Sequence, residues 1–256
     1  MKIVILGSGN VATILGKALV DAGYDIVQVW SRKFENAKIL AGYLDSDATD
    51  DLTQIRPDAD LYLISVTDDA ISLISNHLGS VKGVIAHTSG STSIDVFSGK
   101  CAHYGVFYPF QTFSKEKPVP FKEIPVLIEA IDQTALSTLK EVAHSVSDTV
   151  KEYNSAQRTQ LHIAGVFASN FTNHLYSIAE RLLTESQMDF DLLRPLILET
   201  ATKVQRLLPE AAQTGPAIRN DRNTMAVHQK QLANQPDLLA IYKLLSDHII
   251  TPLPRK

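Results

Sequence analysis

Residues 2–12 read Lys2-Ile3-Val4-Ile5-Leu6-Gly7-Ser8-Gly9-Asn10-Val11-Ala12, and this stretch decides the fold. An apolar run of strand length passes into a Gly-x-Gly-x-x-Ala turn, and apolar residues then recur at helical spacing as far as Leu19. The pattern predicts a strand, a tight turn and a helix, which is the first half of a dinucleotide-binding unit. In such a unit Gly7 allows the sharp turn, Gly9 lets a pyrophosphate approach the backbone, and Ala12 lets the helix pack on the strand.

The phosphates of a dinucleotide would lie at the start of this helix. Free backbone N–H groups point outward at a helix N-terminus, and the helix dipole favours negative charge there. The residues predicted to form this phosphate cradle are Gly7, Ser8, Gly9, Asn10 and Val11. A glycine motif also occurs in ordinary strand-to-helix turns, but its position between a strand and a helix favours a nucleotide site.

The residues after the second predicted strand, Asp25–Trp30, indicate which dinucleotide binds. An NAD site places a carboxylate here to hold the ribose 2′-hydroxyl, whereas this sequence continues with Ser31, Arg32 and Lys33. A hydroxyl followed by two cations suits a 2′-phosphate, so we predict NADP(H), held by Ser31 and Arg32. The alternative is that Ser31 caps the helix beginning near Phe34 while the two cations are merely solvated.

Strands and helices alternate through the first part of the chain, which predicts an α/β fold with a Rossmann-type, mostly parallel sheet. The later strands are predicted at residues 60–66, 84–86, 104–109, 124–130 and 148–150. Ligands bind at the carboxyl ends of the strands in such sheets. This rule adds four residues to the predicted cofactor site: Val66, Thr67, Thr88 and Ser89. Thr67 is also expected to cap the following helix.

From residue 155 onward no convincing strand is present, so we place a domain boundary near Tyr153. A dinucleotide-binding domain over residues 1–153 is then followed by an all-helical domain over residues 154–256, for substrate binding and dimerisation. Helices are predicted at residues 156–186, 189–208, about 221–232 and 236–250, and a disordered tail at residues 252–256.

The groups that could move a proton during hydride transfer are few. Polar residues share a face of the long helix at residues 156–186, which is otherwise apolar and expected to be buried. The predicted catalytic candidates are His87, Asn170, His174 and His162. His87 ends a strand on the nucleotide side, and a buried Asn170 amide could donate to a substrate carbonyl. For each of them the alternative is a structural hydrogen bond.

Composition excludes several other functions. A net charge of −4 and a pI near 6.1 argue against a nucleic-acid partner, and no apolar run is long enough to span a membrane. The single cysteine, Cys101, fits a reducing cytoplasm and is expected to be structural. The histidines lack metal-ligand spacing, so we predict no metal. A small molecule is the expected substrate.

Five motifs together carry a resemblance to a known family. They are GSGNVA at residues 7–12, HTSGS at 87–91, GVFYPFQTFS at 105–114, HIAGVFASNFTNHLY at 162–176 and TGPAIRND at 214–221. A chain with these motifs resembles Rossmann-like NADP oxidoreductases that have a C-terminal domain of unknown function. Their relatives include pyrroline-5-carboxylate reductase, deazaflavin-dependent NADP reductase and proteins with a C-terminal domain like that of 6-phosphogluconate dehydrogenase.

This resemblance implies an all-helical C-terminal domain that forms a homodimer, and a substrate site in the cleft between domains. The implied activity is hydride transfer between NADP(H) and a small C=O or C=N substrate. One departure bears on the chemistry, because the lysine that β-hydroxyacid dehydrogenases carry on the first long helix is missing between Lys151 and Lys203. Two alternatives therefore stay open: an NADP(H) sensor without turnover, and hydride exchange with a deazaflavin.

Overall fold

A computed structural model describes residues 1–79, 81–114 and 119–251. The tail predicted to be disordered, residues 252–256, lies outside the described residues. The chain forms two compact units, Met1–Asn170 and Phe171–Lys256. No helix among the described residues is long and apolar enough to cross a membrane.

The first unit is built on one eight-stranded sheet with the order β3-β2-β1-β4-β5-β6-β7-β8. The strands are β1 (Lys2–Leu6), β2 (Asp25–Trp30), β3 (Asp47–Thr49), β4 (Leu61–Ile64), β5 (Val84–His87), β6 (Tyr104–Pro109), β7 (Val126–Ala130) and β8 (Val150–Glu152). Neighbouring strands are parallel except β6 and β7, which are joined antiparallel. The predicted mostly parallel Rossmann-type sheet is therefore confirmed. Its strand order reverses between β1 and β4, which is where such sheets bind dinucleotides.

Helices cover both faces of this sheet. They are α1 (Asn10–Asp21), α2 (Phe34–Leu44), α3 (Asp68–His77) and α4 (Gln133–Val146), and α5 (Ser155–Gly165) follows the last strand. One core joins alternate strand residues to the first, second and fourth helices, as with Ile5, Leu15 and Leu139. The other joins the opposite strand faces to the third helix, as with Tyr62 and Ile74. Burial on both faces explains why these strands are continuously apolar in sequence.

The second unit contains helices without strands in its described residues. They are α6 (Thr172–Glu185), α7 (Arg194–Lys203), α8 (Pro209–Ala212), α9 (Arg222–Gln231) and α10 (Pro236–Ile250). Pro195 lies in the first turn of α7, where its missing N–H costs nothing. The Asp221 side chain caps α9 by accepting from the Thr224 N–H at 3.1 Å.

The predicted single helix over residues 156–186 is wrong in two respects. It is divided into α5 and α6 by a π-helical segment, Val166–Phe171. It is also not buried, because Arg158 is the one buried residue among the described residues of these three segments. Such π-helical segments carry an extra residue per turn and are frequent at functional sites.

The domain boundary predicted at Tyr153 follows directly on the last strand, Val150–Glu152. The compact units, however, divide between Asn170 and Phe171. The intervening helix α5 belongs to the first unit because its Arg158 side chain is buried against Glu129 of β7. Helical content begins where the sequence indicates, and side-chain packing decides which unit receives the first helix.

Candidate cofactor site

The glycine turn after β1 has the geometry that the motif demands. Gly7 adopts a φ of +136°, and a Cβ atom there would lie 2.1 Å from the Ser65 carbonyl oxygen. Its N–H donates to the Trp30 carbonyl at 2.8 Å, which ties the turn to β2. Only glycine fits this position, because any side chain would meet the neighbouring backbone.

The start of α1 is open in the way a phosphate site requires. Gly9 is the residue before the helix and caps it without a side chain, and no acidic residue occupies the first turn. A Cβ atom on Gly9 would meet nothing within 4 Å. The Asn10 side chain donates to the Phe113 carbonyl at 2.8 Å. Exposed backbone and the positive end of a helix dipole together suit a pyrophosphate.

Ser31 and Arg32 take different positions at the end of β2. Ser31 is buried, and its hydroxyl lies 2.8 Å from the Ser8 hydroxyl, which links the two turns that face the cavity. The alternative interpretation of Ser31 as a helix cap is wrong, because Lys33 occupies the N-cap position of α2 and makes no side-chain cap. The Arg32 and Lys33 side chains are exposed along the cavity.

A cavity of about 740 Å³ runs along the carboxyl ends of the central strands. All eleven predicted cofactor-binding residues line it: Gly7, Ser8, Gly9, Asn10, Val11, Ser31, Arg32, Val66, Thr67, Thr88 and Ser89. These residues come from four separate turns, which the sheet brings together at one edge. Thr67 is the N-cap residue of α3 but makes no side-chain cap, so its predicted capping hydrogen bond is wrong.

The loop after β5 is held by its own hydroxyl groups. The Ser89 hydroxyl accepts from the Ser91 N–H at 3.1 Å and from the Thr92 N–H at 3.0 Å. The Ser91 hydroxyl in turn donates to the Asp68 carboxylate. Ser89 and Ser91 therefore shape the loop, and neither has the environment of a nucleophile.

His87 is placed as a structural residue. Its ring is fully buried, and Nδ1 accepts from the Ser89 N–H at 3.1 Å. Burial, together with the nearby Arg158 cation, lowers the pKa of His87 to about 4. A general acid or base at neutral pH must titrate near neutrality and reach its substrate. A fully buried ring with a pKa of about 4 neither titrates near neutrality nor reaches a substrate, so a proton-carrying role for His87 is not supported.

His162 and Tyr108 form a pair that the sequence does not predict. His162 Nδ1 lies 3.1 Å from the Tyr108 hydroxyl. Both side chains pack on Gly90, where a Cβ atom would approach His162 Nδ1 and the Tyr108 hydroxyl to 2.7 Å each. Tyr108 stands in the motif at residues 105–114, which indicated a strand end but no role for this hydroxyl.

Arg158 and Glu129 form a buried ion pair that the sequence analysis also missed. The Arg158 side chain is 1% exposed and that of Glu129 is 14% exposed. The guanidinium donates to the Glu129 carboxylate and to the Thr92 carbonyl of the loop after β5. Arg158 thus joins α5, β7 and that loop, and His162 lies one helical turn further along the same face.

The other candidates lie further along the chain. Asn170 is exposed, so the prediction of a buried amide is wrong, although Asn170 does line a second cavity of about 350 Å³ beside Tyr108 and His162. His174 belongs to the second unit, where its side chain is exposed on α6. Among the described residues no cluster of His, Cys, Asp or Glu could hold a metal ion. The unpaired Cys101 is partly buried.

Two family models match this chain. NADP oxidoreductase, coenzyme F420-dependent, matches residues 2–88, and the domain of unknown function DUF2520 matches residues 124–249. The "putative NADP oxidoreductase BF3122" from Bacteroides fragilis is 44% identical, with 97% of each chain covered and a TM-score of 0.91. The chain belongs to this family of NADP oxidoreductases.

More distant structures share the fold. The protein TM1727 from Thermotoga maritima is 21% identical over 96% of each chain, with a TM-score of 0.75. An imine reductase from Myxococcus stipitatus in complex with NADP+ is 16% identical over 98% of this chain and 92% of its own, with a TM-score of 0.61. No curated protein matches the sequence. The two family models and the Bacteroides fragilis relative together confirm the predicted family, the NADP cofactor and the oxidoreductase activity.

Proposed function

We propose that the oxidoreductase transfers a hydride between NADP(H) and a small substrate containing a C=O or C=N bond. The observation that carries this proposal is the cavity of about 740 Å³, which begins at Arg32 and continues past the glycine turn to Ser89 and His162. A dinucleotide needs such an extended site across the point where the strand order reverses. At the far end the cavity meets ionisable and hydrogen-bonding groups, which a substrate undergoing reduction requires.

The cavity offers each part of NADP(H) suitable chemistry. Backbone N–H groups of residues 7–11 would hold the pyrophosphate at the start of α1. The Ser31 hydroxyl and the Arg32 guanidinium would hold the 2′-phosphate, because both are donors and no carboxylate stands beside them on the chain. Thr88 and Ser89 would lie toward the nicotinamide, which supplies the hydride when bound.

The Arg32→Ala variant tests the 2′-phosphate assignment. We expect NADPH binding to weaken by about tenfold to a hundredfold, since a charge-assisted hydrogen bond contributes roughly 1.5–3 kcal/mol, while NADH binding changes little. Isothermal calorimetry with both cofactors measures the difference, and Arg181→Ala, on a helix of the second unit, is the matched control. Equal losses for NADPH and NADH would contradict the assignment.

Turnover is tested by following NADPH absorbance with a panel of imines, ketones, keto acids and quinones. Consumption that depends on both protein and substrate supports the proposed reaction and identifies the bond that is reduced. Tight NADPH binding without consumption across the panel would favour the alternative of a nucleotide sensor. The Arg32→Ala variant supplies the control, because its activity should be recovered at high NADPH concentration.

A deazaflavin is a second candidate for the hydride partner. The family model matched by residues 2–88 is described as coenzyme F420-dependent, which is the observation that favours it. That match covers the first half of the nucleotide-binding unit and leaves the other partner of the reaction open. Reduction of a deazaflavin by NADPH in the presence of the protein, monitored by the deazaflavin absorbance, would support this candidate.

We also propose that the helical unit forms a homodimer. Many large apolar side chains of this unit are exposed in the single chain, among them Leu192, Leu196, Leu198, Leu208 and Val227. A surface of this kind is typical of an interface that another chain covers. Light scattering after size-exclusion chromatography should show a dimer, and the double variant Leu192→Lys/Leu198→Lys should shift it toward the monomer. A monomeric unaltered protein at micromolar concentration would contradict the proposal.

A further inference from the structure

The first unit contains a further cavity, of about 350 Å³, beside the cofactor cavity. It is lined by the end of β6, the segment after it, and the C-terminal part of α5 with its π-helical continuation, including Tyr108, Phe110, His162 and Asn170. His162 also lines the cofactor cavity, so one side chain borders both spaces. A group between a hydride donor and a substrate site is placed to act in the reaction.

Tyr108 and His162 are held in this position from three sides. Tyr108 continues the buried strand β6, and His162 follows the anchored Arg158 by one turn of α5. Gly90 supplies the third contact. A Cβ atom at this position would lie only 2.7 Å from His162 Nδ1 and from the Tyr108 hydroxyl, so glycine leaves room for both rings. The two rings meet edge to face with centroids 6.2 Å apart. Their hydrogen bond of 3.1 Å is therefore built into the packing of the first unit.

From this arrangement we propose that the second cavity is the substrate subsite, with Tyr108 as the proton donor to the substrate and His162 as the residue that returns the proton to Tyr108. This inference rests on the proposed hydride transfer. It assigns a catalytic residue, Tyr108, which touches the substrate, and a positioning residue, His162, which acts through it.

The proton and electron pair balance in the following way. When bound, NADPH would supply the hydride to the C=N carbon, and the π electron pair of that bond would move to nitrogen. Tyr108 gives its hydroxyl proton to the nitrogen, and the phenolic oxygen then takes the Nδ1 proton of His162. The other ring nitrogen of His162 takes a proton from solvent in the same step, because the ring is partly exposed. Burial raises the pKa of Tyr108, so the phenol carries its proton before the step.

The lining of the subsite also indicates the substrate class. Its described lining residues include no lysine or arginine, so they offer no fixed cation to a carboxylate. The aromatic faces of Tyr108 and Phe110, with their centroids 6.0 Å apart, suit an uncharged ring or a cationic iminium. We therefore expect neutral cyclic imines and ketones to be preferred over keto acids of the same size.

The decisive experiment compares two substrates that differ only in their need for a proton. A cyclic imine, at a pH at which it is unprotonated, needs a proton as it is reduced, whereas its N-methyl iminium ion does not. The imine is the one most readily reduced in the substrate panel. With Tyr108→Phe we expect kcat for the imine to fall by about 10² to 10⁴, the usual contribution of a general acid. The kcat for the iminium ion and the affinity for NADPH should be unchanged.

The His162→Asn variant tests the positioning residue with the same pair of substrates. It should lower kcat for the imine and leave kcat for the iminium ion unchanged. The matched control is Tyr242→Phe, because Tyr242 and His228 form a second such pair at 2.9 Å in the helical unit. That variant should reduce both substrates at the normal rate.

Four outcomes would overturn the inference, in whole or in part. Equal losses on imine and iminium ion would mean that Tyr108 acts through packing, and no loss on either would exclude it as a donor. Normal imine reduction by His162→Asn would remove the second residue from the pathway. If the unaltered protein binds NADPH but reduces no compound of the substrate panel, the proposed function itself is contradicted, and the inference with it.

Discussion

The two compact units of the chain differ in how they are stabilised. The first unit buries apolar residues on both faces of its sheet, with many side chains at 0–2% exposure. The described residues of the helical unit include only three buried ones: Ala217, Met225 and Ser246. Since burial of apolar surface is the dominant favourable contribution to folding, the first unit holds most of the stability that a single chain can supply. The exposed leucines of the helical unit are the side chains that the proposed homodimer would cover.

The two units also differ in their proposed roles, because both proposed binding sites lie in the first unit and the proposed dimer interface lies in the second. The residues that line the cofactor cavity and the proposed subsite all lie within Met1–Asn170. They are supported by buried strands and by the buried Arg158–Glu129 ion pair. Polar contacts in the helical unit, such as the ion pair of Arg181 with Glu185, are exposed and contribute little to stability. Substitutions should therefore have unequal effects in the two units.

The largest expected effect is that of Phe107→Ala in the sheet. Phe107 is fully buried on β6, and truncating a buried phenylalanine costs about 3–5 kcal/mol in unfolding free energy. Urea denaturation followed by circular dichroism measures the loss. A change below about 1 kcal/mol would contradict the view that the first unit carries the stability of the chain.

Gly7→Ala should cost about 3 kcal/mol or more, because the new methyl group would overlap the Ser65 carbonyl and φ is +136°. Gly9→Ala is the matched control, since nothing lies within 4 Å of its added methyl group. We expect Gly9→Ala to keep the melting temperature and to weaken NADPH binding. Equal melting temperatures for both variants would show that the turn adapts more readily than its contacts indicate.

The pH dependence of stability should show the lowered pKa of His87. Its pKa falls from an ordinary 6.5 to about 4 in the folded protein, so the unfolded chain takes up this proton first as the pH decreases. The resulting loss of unfolding free energy begins below about pH 6.5 and reaches about 3 kcal/mol near pH 4. His87→Asn keeps an acceptor for the Ser89 N–H and cannot titrate. The variant should therefore lose less stability than the unaltered protein between these pH values, and parallel curves would contradict the assignment.

The smallest effect is expected for Leu198→Ala in the helical unit. Leu198 is 68% exposed, and surface truncations usually change unfolding free energy by less than about 0.5 kcal/mol. Under conditions in which the protein is monomeric, the variant should be as stable as the unaltered chain. A larger loss that disappears on dilution would support the homodimer, whereas a large loss at every dilution would show that the side chain is covered within one chain.

Local patterns predicted elements of both units well. The strand at Asp25–Trp30 and the helix at Pro236–Ile250 have the predicted bounds, since apolar periodicity and flanking glycine or proline mark them directly. The predicted cofactor residues share one cavity for the same reason, because they follow the ends of neighbouring strands. The interrupted helix was not, because a π-helical segment leaves no clear mark on hydrophobic spacing.

By itself the sequence determined the Rossmann-type unit, the choice of NADP(H) and the change to helices after the last strand. These properties depend on residues that are neighbours along the chain. Only the tertiary structure decided that His87 is a buried structural residue and that Tyr108 meets His162, 54 residues away. Such a meeting depends on strand order, on one glycine without a side chain and on a buried ion pair. The grouping of the predicted cofactor residues at one edge of the sheet could therefore be predicted from the sequence, and the proposed substrate subsite could not.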